Sequence, residues 1–286
     1  MTLGAPARPV LKWAGGKTQL LPKILARLPE RIDTYFEPFV GGAAVFFALA
    51  ARGSFRRAVL ADRNPDLVAV YRALQQDVEG VIRALGRMSH SESEYYRVRA
   101  LSPRGLVQRA ARIIYLNKTG YNGLYRVNRS GQFNVPFGKY KNPNFCDAEN
   151  LRAAAAALQG VEIAEADFEA VCARARPGDA VYLDPPYVPL SKTSYFTAYD
   201  RHPFGQLEHE RLARVFAELE GRGVDAVLSN SNTPETRALY RGFRAEKVKV
   251  ARNINSRASA RGPIDELLVV AEPAPRRVKR PRSRAS

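Results

Sequence analysis

The chain has 286 residues and 45% hydrophobic content, enough for one large domain or for a domain carrying a smaller insertion, so wholesale disorder is excluded. Lys and Arg number 45 against 28 Asp and Glu, and the formal charge of +17 favours a polyanionic partner, nucleic acid ahead of an anionic membrane surface. No apolar run is long enough to span a bilayer, so no membrane partner is expected.

The chain is expected to start without a secretory leader, since Met1 to Trp13 holds no apolar run. Cys146 and Cys172 lie far apart and read as free thiols of a reducing cytosol. His90, His202 and His209 have no metal-ligand spacing, so no metal is expected.

The first feature in chain order is Leu11-Lys12-Trp13-Ala14-Gly15-Gly16-Lys17-Thr18. Its end imitates a phosphate-binding P-loop. That motif needs glycine five residues before Gly16, where Leu11 stands, and a buried strand ahead of it, for which too few residues are available; an NTPase is excluded. What remains is a glycine pair between a cation and an indole, suited to a carboxylate and an adenine.

A helix is predicted over 18–28, followed by a short strand over 34–36 that runs into Phe36-Glu37-Pro38-Phe39-Val40-Gly41-Gly42. A helix over 43–51 and a strand over 57–61 come next, and Asp62 ends that strand 21 positions after Gly41. Strand, glycine turn, helix, strand and acid form the order of a βαβ nucleotide-binding unit, with the glycines allowing close backbone approach and the acid suiting a ribose diol. An NAD-type fold or a plain tight turn would share this pattern.

From about Pro65 to Cys146 the pattern changes to polar helices, running to Lys118, without an evident buried strand. The stretch Tyr115 to Lys141 then interleaves Arg126, Arg129, Lys139 and Lys141 with Tyr121, Tyr125, Phe133, Phe137 and Tyr140. Cations contact phosphates, Arg can pair with guanine, and aromatics or Asn can fill the gap left by an extruded base. A solvated charged loop with its aromatics tucked into a small core is the plainer alternative.

The α/β alternation resumes after Asp147, with strands over 161–166, 180–183 and 226–229, helices over 205–220 and 234–240, and closing strands over 245–250 and 266–271. The chain thus divides into an α/β domain over 1–64 and 147–272, a helical and loop insertion over 65–146, and a basic tail over 273–286. The tail, expected to be disordered, carries six cations and no acid from Arg276 onward; it either adds salt-dependent affinity for DNA or merely solubilises the terminus.

Directly after the strand Val181-Tyr182-Leu183 stands Asp184-Pro185-Pro186-Tyr187. Two prolines stiffen the strand exit. The Asp184 carboxylate and the Pro185 carbonyl can offer two acceptors to one NH2 group, and the Tyr187 ring can stack on a base taken from the duplex. Such acceptors draw an exocyclic amine toward a tetrahedral, nucleophilic form. A proline-rich strand exit without chemical meaning is the alternative for these four residues alone. The segment from Val188 to Asp200, with Tyr195, Phe196 and Tyr199, is expected to close over the base.

Taken together, these stretches resemble the Dam-type DNA adenine-N6 methyltransferases (D12 class, alpha motif order), in collinear order from Leu11 to about Val270. The resemblance implies a Rossmann-like S-adenosylmethionine-dependent methyltransferase fold, a mostly parallel sheet with one reversed strand, bearing a target-recognition insertion. It implies methylation of an extruded adenine in double-stranded DNA by a cytoplasmic, monomeric enzyme, with G-A-T-C the leading site.

By position, Trp13, Lys17, Asp62 and Asp184 look like cofactor contacts, and Glu37 matches a position expected to bind the methionine part. Pro38, Phe39, Gly41, Gly42, Asp167 and Phe168 complete the candidate cofactor set. Asp184, Pro185, Pro186 and Tyr187 form the candidate catalytic set. Lys12, Leu124, Arg126 and Pro136 match base-reading positions, Tyr121 and Asn122 match positions that occupy the opened helix, and Lys139 matches a phosphate contact. One departure stands at Ala43, where family members often have glycine.

The competing functions are set apart by single features. RNA adenine methyltransferases commonly have Asn, and cytosine-N4 enzymes Ser, where Asp184 stands. A DNA-binding protein without turnover would lack an essential group, and none is missing. An NAD-dependent oxidoreductase would need hydride-site residues that the sequence does not display.

Overall fold

The computed structural model describes residues 5–13, 15, 17–128, 130–188, 204–251 and 263–271. Seven strands form a single sheet: β1 (Ile32–Glu37), β2 (Phe55–Asp62), β3 (Glu162–Glu165), β4 (Ala180–Leu183), β5 (Asp225–Ser231), β6 (Arg244–Ala251) and β7 (Pro263–Ala271). Their spatial order is β3-β2-β1-β4-β5-β7-β6. The first five run parallel, and β7 lies antiparallel between β5 and β6. This is the mostly parallel, Rossmann-like sheet with one reversed strand. The chain leaves β1 in one direction across the sheet and takes up β4 on the other side, so the topological switch point lies between the carboxyl ends of β1 and β4.

Alternation along the strands sends side chains to two buried clusters. Tyr35, Leu60, Tyr182, Val227 and Leu268 join a cluster that also takes in the helices of the insertion. Phe36, Val59, Val181, Leu183, Leu228 and Leu267 pack on the opposite face. Both faces being covered, β4 reads as an unbroken apolar run and is buried throughout.

Helices α1 (Leu21–Leu25), α2 (Ala44–Arg52), α3 (Pro65–Gly86), α4 (Glu92–Ala100), α5 (Leu106–Thr119) and α6 (Ala148–Ala157) precede α7 (Phe168–Cys172), α8 (Gln206–Gly221) and α9 (Pro234–Leu239). The helix expected over 18–28 is instead a 3-10 turn over Lys17–Gln19 and the short α1. The cause is Pro22, which has no N–H to continue a helix from residue 18 but fits a first turn. Among the described residues over 65–146 no strand belongs to the sheet, in keeping with the helical pattern read there. Helix α6, an alanine-rich stretch without a sharp apolar stripe, was not anticipated.

The long α3 starts at Pro65 behind Asn64, whose side chain accepts the Asp66 N–H at 3.0 Å. It lies along α5 and is fastened to the sheet edge. Arg72 donates twice to the Ile163 carbonyl, and Gln75 donates to the carbonyls of Leu158 and Val161. These bonds satisfy carbonyls at both ends of the α6–β3 connection. No helix among the described residues is long and apolar enough to cross a membrane.

Candidate active site

The loops leaving β1, β2, β3 and β4 all emerge at the carboxyl edge of the parallel strands, where α/β sheets leave a crevice for ligands. Backbone bonds hold these exits together: the Val40 N–H donates to Ala61 O at 2.9 Å and the Ala166 N–H to Asp62 O at 3.2 Å.

After β1, the turn is built for close approach. Gly41 has φ +43°, and a Cβ there would stand 2.8 Å from Cδ1 of Trp13. Its carbonyl accepts the Tyr71 hydroxyl at 2.6 Å, and its N–H donates to Asp62 Oδ2 at 3.3 Å. Trp13 also borders Gly42 and leans on the Tyr125 ring, 5.3 Å between centroids. Ala43 takes left-handed backbone angles, φ 55° and ψ 30°, at the entrance to α2. The one departure from the family pattern thus falls where glycine would be free of strain.

Glu37 ends β1 but points inward, 2% exposed, with Oε2 accepting the Tyr35 hydroxyl at 2.8 Å and the Phe46 N–H at 3.1 Å. Burial, aided by the nearby Asp184 charge, pushes its carboxyl up to about 8, against the pull of the Tyr35 bond. Pro38 follows directly, and the Phe39 ring packs on Phe168 with centroids 5.4 Å apart.

At the end of β3, Asp167 caps α7 and takes both arms of Arg211, at 2.8 Å each. Burial raises its carboxyl, but the bonds from Arg211 and the Glu169 N–H leave it below the ordinary value. The Arg211 guanidinium lies 4.2 Å from the Phe168 ring centroid, and Phe168 is buried. Asp167 and Phe168 are therefore fixed by one cation.

At the end of β4, Asp184 Oδ1 receives the Lys17 ammonium at 2.9 Å and the Ser229 hydroxyl at 2.9 Å. Ser229 has a single proton and gives it to the carboxylate, so the Tyr182 hydroxyl, 2.9 Å away, donates to Ser229. Burial raises the Asp184 carboxyl from its ordinary value, with Lys17 and then Ser229 opposing. Lys17 is itself 4% exposed, bonds the Gly15 carbonyl, and lies 4.8 Å from the Tyr187 ring centroid.

Pro185 is buried and Pro186 exposed. Tyr187 donates its hydroxyl to Glu266 Oε2 at 2.7 Å, and burial followed by the charges of Asp184 and Glu266 keeps that phenol protonated. The next residue is clamped as well: the Val188 N–H donates to Asn230 Oδ1 at 3.2 Å, and its carbonyl accepts the Ser231 hydroxyl at 2.7 Å. Two acceptors and a pinned aromatic ring therefore stand at the switch point on a stiff loop. That arrangement can hold an amine by its hydrogens beside a stacking face.

A second group of expected residues lies on a hairpin over 120–138, closed by bridges Gly120–Phe137 and Val127–Phe133. The Tyr121 N–H donates to Pro136 O at 2.9 Å, and Asn122 adopts φ 54°. Tyr121, Arg126 and Lys139 are exposed, with the Arg126 guanidinium resting on Asn134 at 2.7 Å. Leu124 is half-buried. Lys12 meets the hairpin base: its side chain borders Gly123, and its ammonium lies 4.4 Å from the Tyr140 ring centroid.

The structure thus brings Lys17, Asp184 and Tyr187 into contact, Trp13 with Gly41 and Gly42, and Phe39 with Phe168. Arg126 lies on the hairpin and Lys139 directly follows it. Arg129 and the segment expected to close over the base, apart from Val188, lie outside the described residues, as does the basic tail.

Sequence reasoning missed Ser229, Asn230, Ser231 and Glu266 behind the loop leaving β4, Asn117 beneath the hairpin, and Arg211. A signal existed for the first four: three polar residues close the apolar strand β5, and two adjacent acids, Asp265 and Glu266, interrupt β7. Asn117 is buried, exchanging 2.7 Å bonds with both backbone groups of Lys12 while donating to Gly123 O at 2.9 Å. Among the described residues, no cluster of His, Cys, Asp or Glu could hold a metal ion.

A family model of the D12 class N6 adenine-specific DNA methyltransferases matches residues 13–254. The chain is 41% identical over 272 residues to Type II methyltransferase M1.LlaDCHI of Lactococcus lactis subsp. cremoris, covering 92% of this chain and 94% of that protein. It is 42% identical over 284 residues to Type II methyltransferase M.MjaIII of Methanocaldococcus jannaschii, covering 92% and 98%. It is 38% identical over 272 residues to the DNA adenine methylase of Escherichia coli (strain K12), covering 93% and 96%.

Proposed function

The chain belongs to the D12 class of N6 adenine-specific DNA methyltransferases, and from that premise we propose that it transfers a methyl group from S-adenosylmethionine to an adenine extruded from double-stranded DNA, within G-A-T-C. The observation that carries this reading is the Asp184 carboxyl group, held by Lys17 and Ser229 beside the pinned Tyr187 ring at the switch point.

The residues at the exits of β1 to β4 fit such a cofactor. The missing Cβ atoms of Gly41 and Gly42 let Trp13 lie against the turn, Glu37, Pro38 and Phe39 shape the β1 exit, and Asp62 suits a ribose diol. Asp167 and Phe168 suit an adenine, and Lys17 suits a carboxylate. When bound, the cofactor supplies an electrophilic methyl group on a positively charged sulfur.

The chain's own task is alignment. Asp184 and the Pro185 carbonyl accept the two N6 hydrogens, holding the nitrogen lone pair toward the methyl group. Pro186, lacking an N–H, brings no competing donor. The Tyr187 ring receives the base face that stacking in the duplex has lost. As the N–C bond forms and the C–S bond breaks, the methylated amine becomes acidic and loses its proton to solvent, so no dedicated base is required.

The insertion over 65–146 is the target-recognition part of this reading. Lys12, Leu124, Arg126 and Pro136 read base pairs, Tyr121 and Asn122 occupy the gap in the opened helix, and Lys139 contacts a phosphate. The exposed cations on a closed hairpin support this assignment. The protein is proposed to act as a cytoplasmic monomer on the nucleoid, which sedimentation with and without DNA tests.

The deciding experiment is transfer from labelled S-adenosylmethionine to unmethylated plasmid DNA, followed by mapping of modified adenines. N6-methyladenine confined to G-A-T-C is the expected result. Methylation at another sequence keeps the chemistry and discards the base-reading assignments; no transfer to DNA removes the proposed substrate.

A further inference from the structure

Three strands contribute to the back of the catalytic loop, and only one of them carries the catalytic motif. In the register of β5 with β7, Ser231 faces Glu266 and Ser229 faces Leu268. Ser229, Ser231 and Glu266 therefore lie on one face, at the carboxyl end of β5 and the middle of β7. All are buried, Ser229 at 0%, Ser231 at 5% and Glu266 at 6% exposure. A buried acid is costly unless it is paired and bonded. Glu266 takes the Tyr187 hydroxyl at 2.7 Å, across 79 residues of sequence.

The bond acts at a particular place on the ring. A phenol hydroxyl lies on the axis about which the ring flips, so holding it fixes where the ring stands. The backbone of the loop is fixed independently by Asn230 and Ser231 at Val188. With the backbone held at one end and the hydroxyl at the other, the remaining swing of the Tyr187 side chain is removed. Burial and the neighbouring charges keep the phenol protonated, so it stays a donor.

We propose that Glu266, on the reversed strand β7, is a positioning residue for methyl transfer: it acts through Tyr187 to fix the ring on which the target adenine stacks. This rests on the transfer to an extruded adenine proposed above. A misplaced stacking face leaves ground-state affinity in place while moving N6 out of line, so the loss falls on kcat.

The test compares Glu266→Ala, Glu266→Gln, Tyr187→Phe and the Glu266→Ala/Tyr187→Phe pair in single-turnover methylation of the mapped site. Glu266→Ala is expected to lower the rate about tenfold, the kinetic equivalent of one hydrogen bond of ordinary net worth. Cofactor KM and DNA affinity are expected to stay within about twofold, since Glu266 touches neither ligand in this reading. Glu266→Gln, whose amide oxygen still accepts, is expected to restore most of the rate. In the Tyr187→Phe background the alanine change is expected to add no further loss.

Emission from 2-aminopurine placed at the target adenine reads the stacking directly and is expected to differ between Glu266→Ala and the wild type. If the alanine variant does not fold, Glu266→Met keeps the volume without the acceptor and carries the same expectations. Wild-type rate and emission in Glu266→Ala or Met, or full multiplication of its effect with that of Tyr187→Phe, overturns the inference. Absence of transfer by the wild-type protein overturns the proposed function and the inference with it.

Discussion

In the proposed function the loop leaving β4 meets the adenine and the hairpin over 120–138 meets the duplex, and the two are built in opposite ways. At the β4 exit nearly every polar group already has a partner inside the protein. Asp184 is met by Lys17 and Ser229, Tyr187 by Glu266, and Val188 by Asn230 and Ser231. On the hairpin the backbone is bonded and the side chains are not all buried: Tyr121 and Arg126, and Lys139 just after it, are exposed. The difference follows from the two tasks. Alignment for bond making gains from groups that need no reorganisation, whereas reading a duplex needs exposed side chains that can exchange their bonds on contact, as the Arg126 guanidinium resting on Asn134 can.

That contrast is most exposed at Asp184. Asp184→Ala should reduce methyl transfer by at least about a thousandfold, within the range for lost electrostatic or proton-handling groups. DNA affinity in a gel-shift assay should stay near wild type, because the proposed duplex-reading side chains are those of the hairpin. A folded Asp184→Ala protein with normal turnover would break the comparison at its root.

The next largest effects are expected from two glycines, one in the turn after β1 that adjoins the β4 exit and one in the hairpin. Gly41→Ala puts a Cβ 2.8 Å from Trp13 in a left-handed conformation, and strain of about 1–3 kcal/mol should appear as weaker cofactor binding in calorimetry. Gly138→Ala puts its Cβ 2.8 Å from the carbonyls of Thr119 and Gly120, at the hairpin base. It should weaken DNA binding and leave cofactor affinity unchanged. Equal effects of either change on both ligands would show that the two regions are not separable.

Smaller changes distinguish kinds of contact within the hairpin. Arg126→Ala should relax discrimination at one base pair at a cost of about 1–3 kcal/mol, whereas Lys139→Ala should weaken all sequences alike and reduce the salt slope by about 1. The measurement is binding to the cognate site and its single-base variants across a salt titration. A uniform loss for Arg126→Ala would move that residue to the phosphate-contact set.

A further change concerns Glu37 and bears on stability alone, leaving both ligands untouched. The folded protein holds the Glu37 proton up to about pH 8, while the unfolded chain releases it near the ordinary carboxylate value of 4.5. Between those values the folded state binds more protons, so stability falls as pH rises, on the order of 1 kcal/mol per pH unit from this group. Glu37→Gln should flatten that decline in urea melts at pH 5 and pH 8, and an unchanged slope would show that Glu37 titrates elsewhere.

Much of this was legible in the sequence where local pattern and position coincide. Strand β4 and its Asp-Pro-Pro-Tyr exit, and the unit from β1 through α2 to Asp62, follow from apolar runs, glycines and proline stiffness, none of which depends on distant residues. The first helix was misjudged because its apolar spacing continued across Pro22, where the backbone could not. Helix α6 was passed over because alanine marks no face.

The partners of the site were legible in no local pattern. Lys17 lies 167 positions before Asp184, Glu266 lies 79 after Tyr187, and Arg211 lies 44 after Asp167. The sequence by itself determined which groups could accept an amine's hydrogens, where the backbone could turn tightly, and that the partner should be a polyanion. Only the tertiary structure decided that Lys17 rests on Asp184, that the reversed strand places Glu266 at the Tyr187 hydroxyl, and that Glu37 turns inward. The reason is physical: composition and period act over a few residues, whereas strand order and register bring distant residues together, and those residues then fix the site's charges and rotamers.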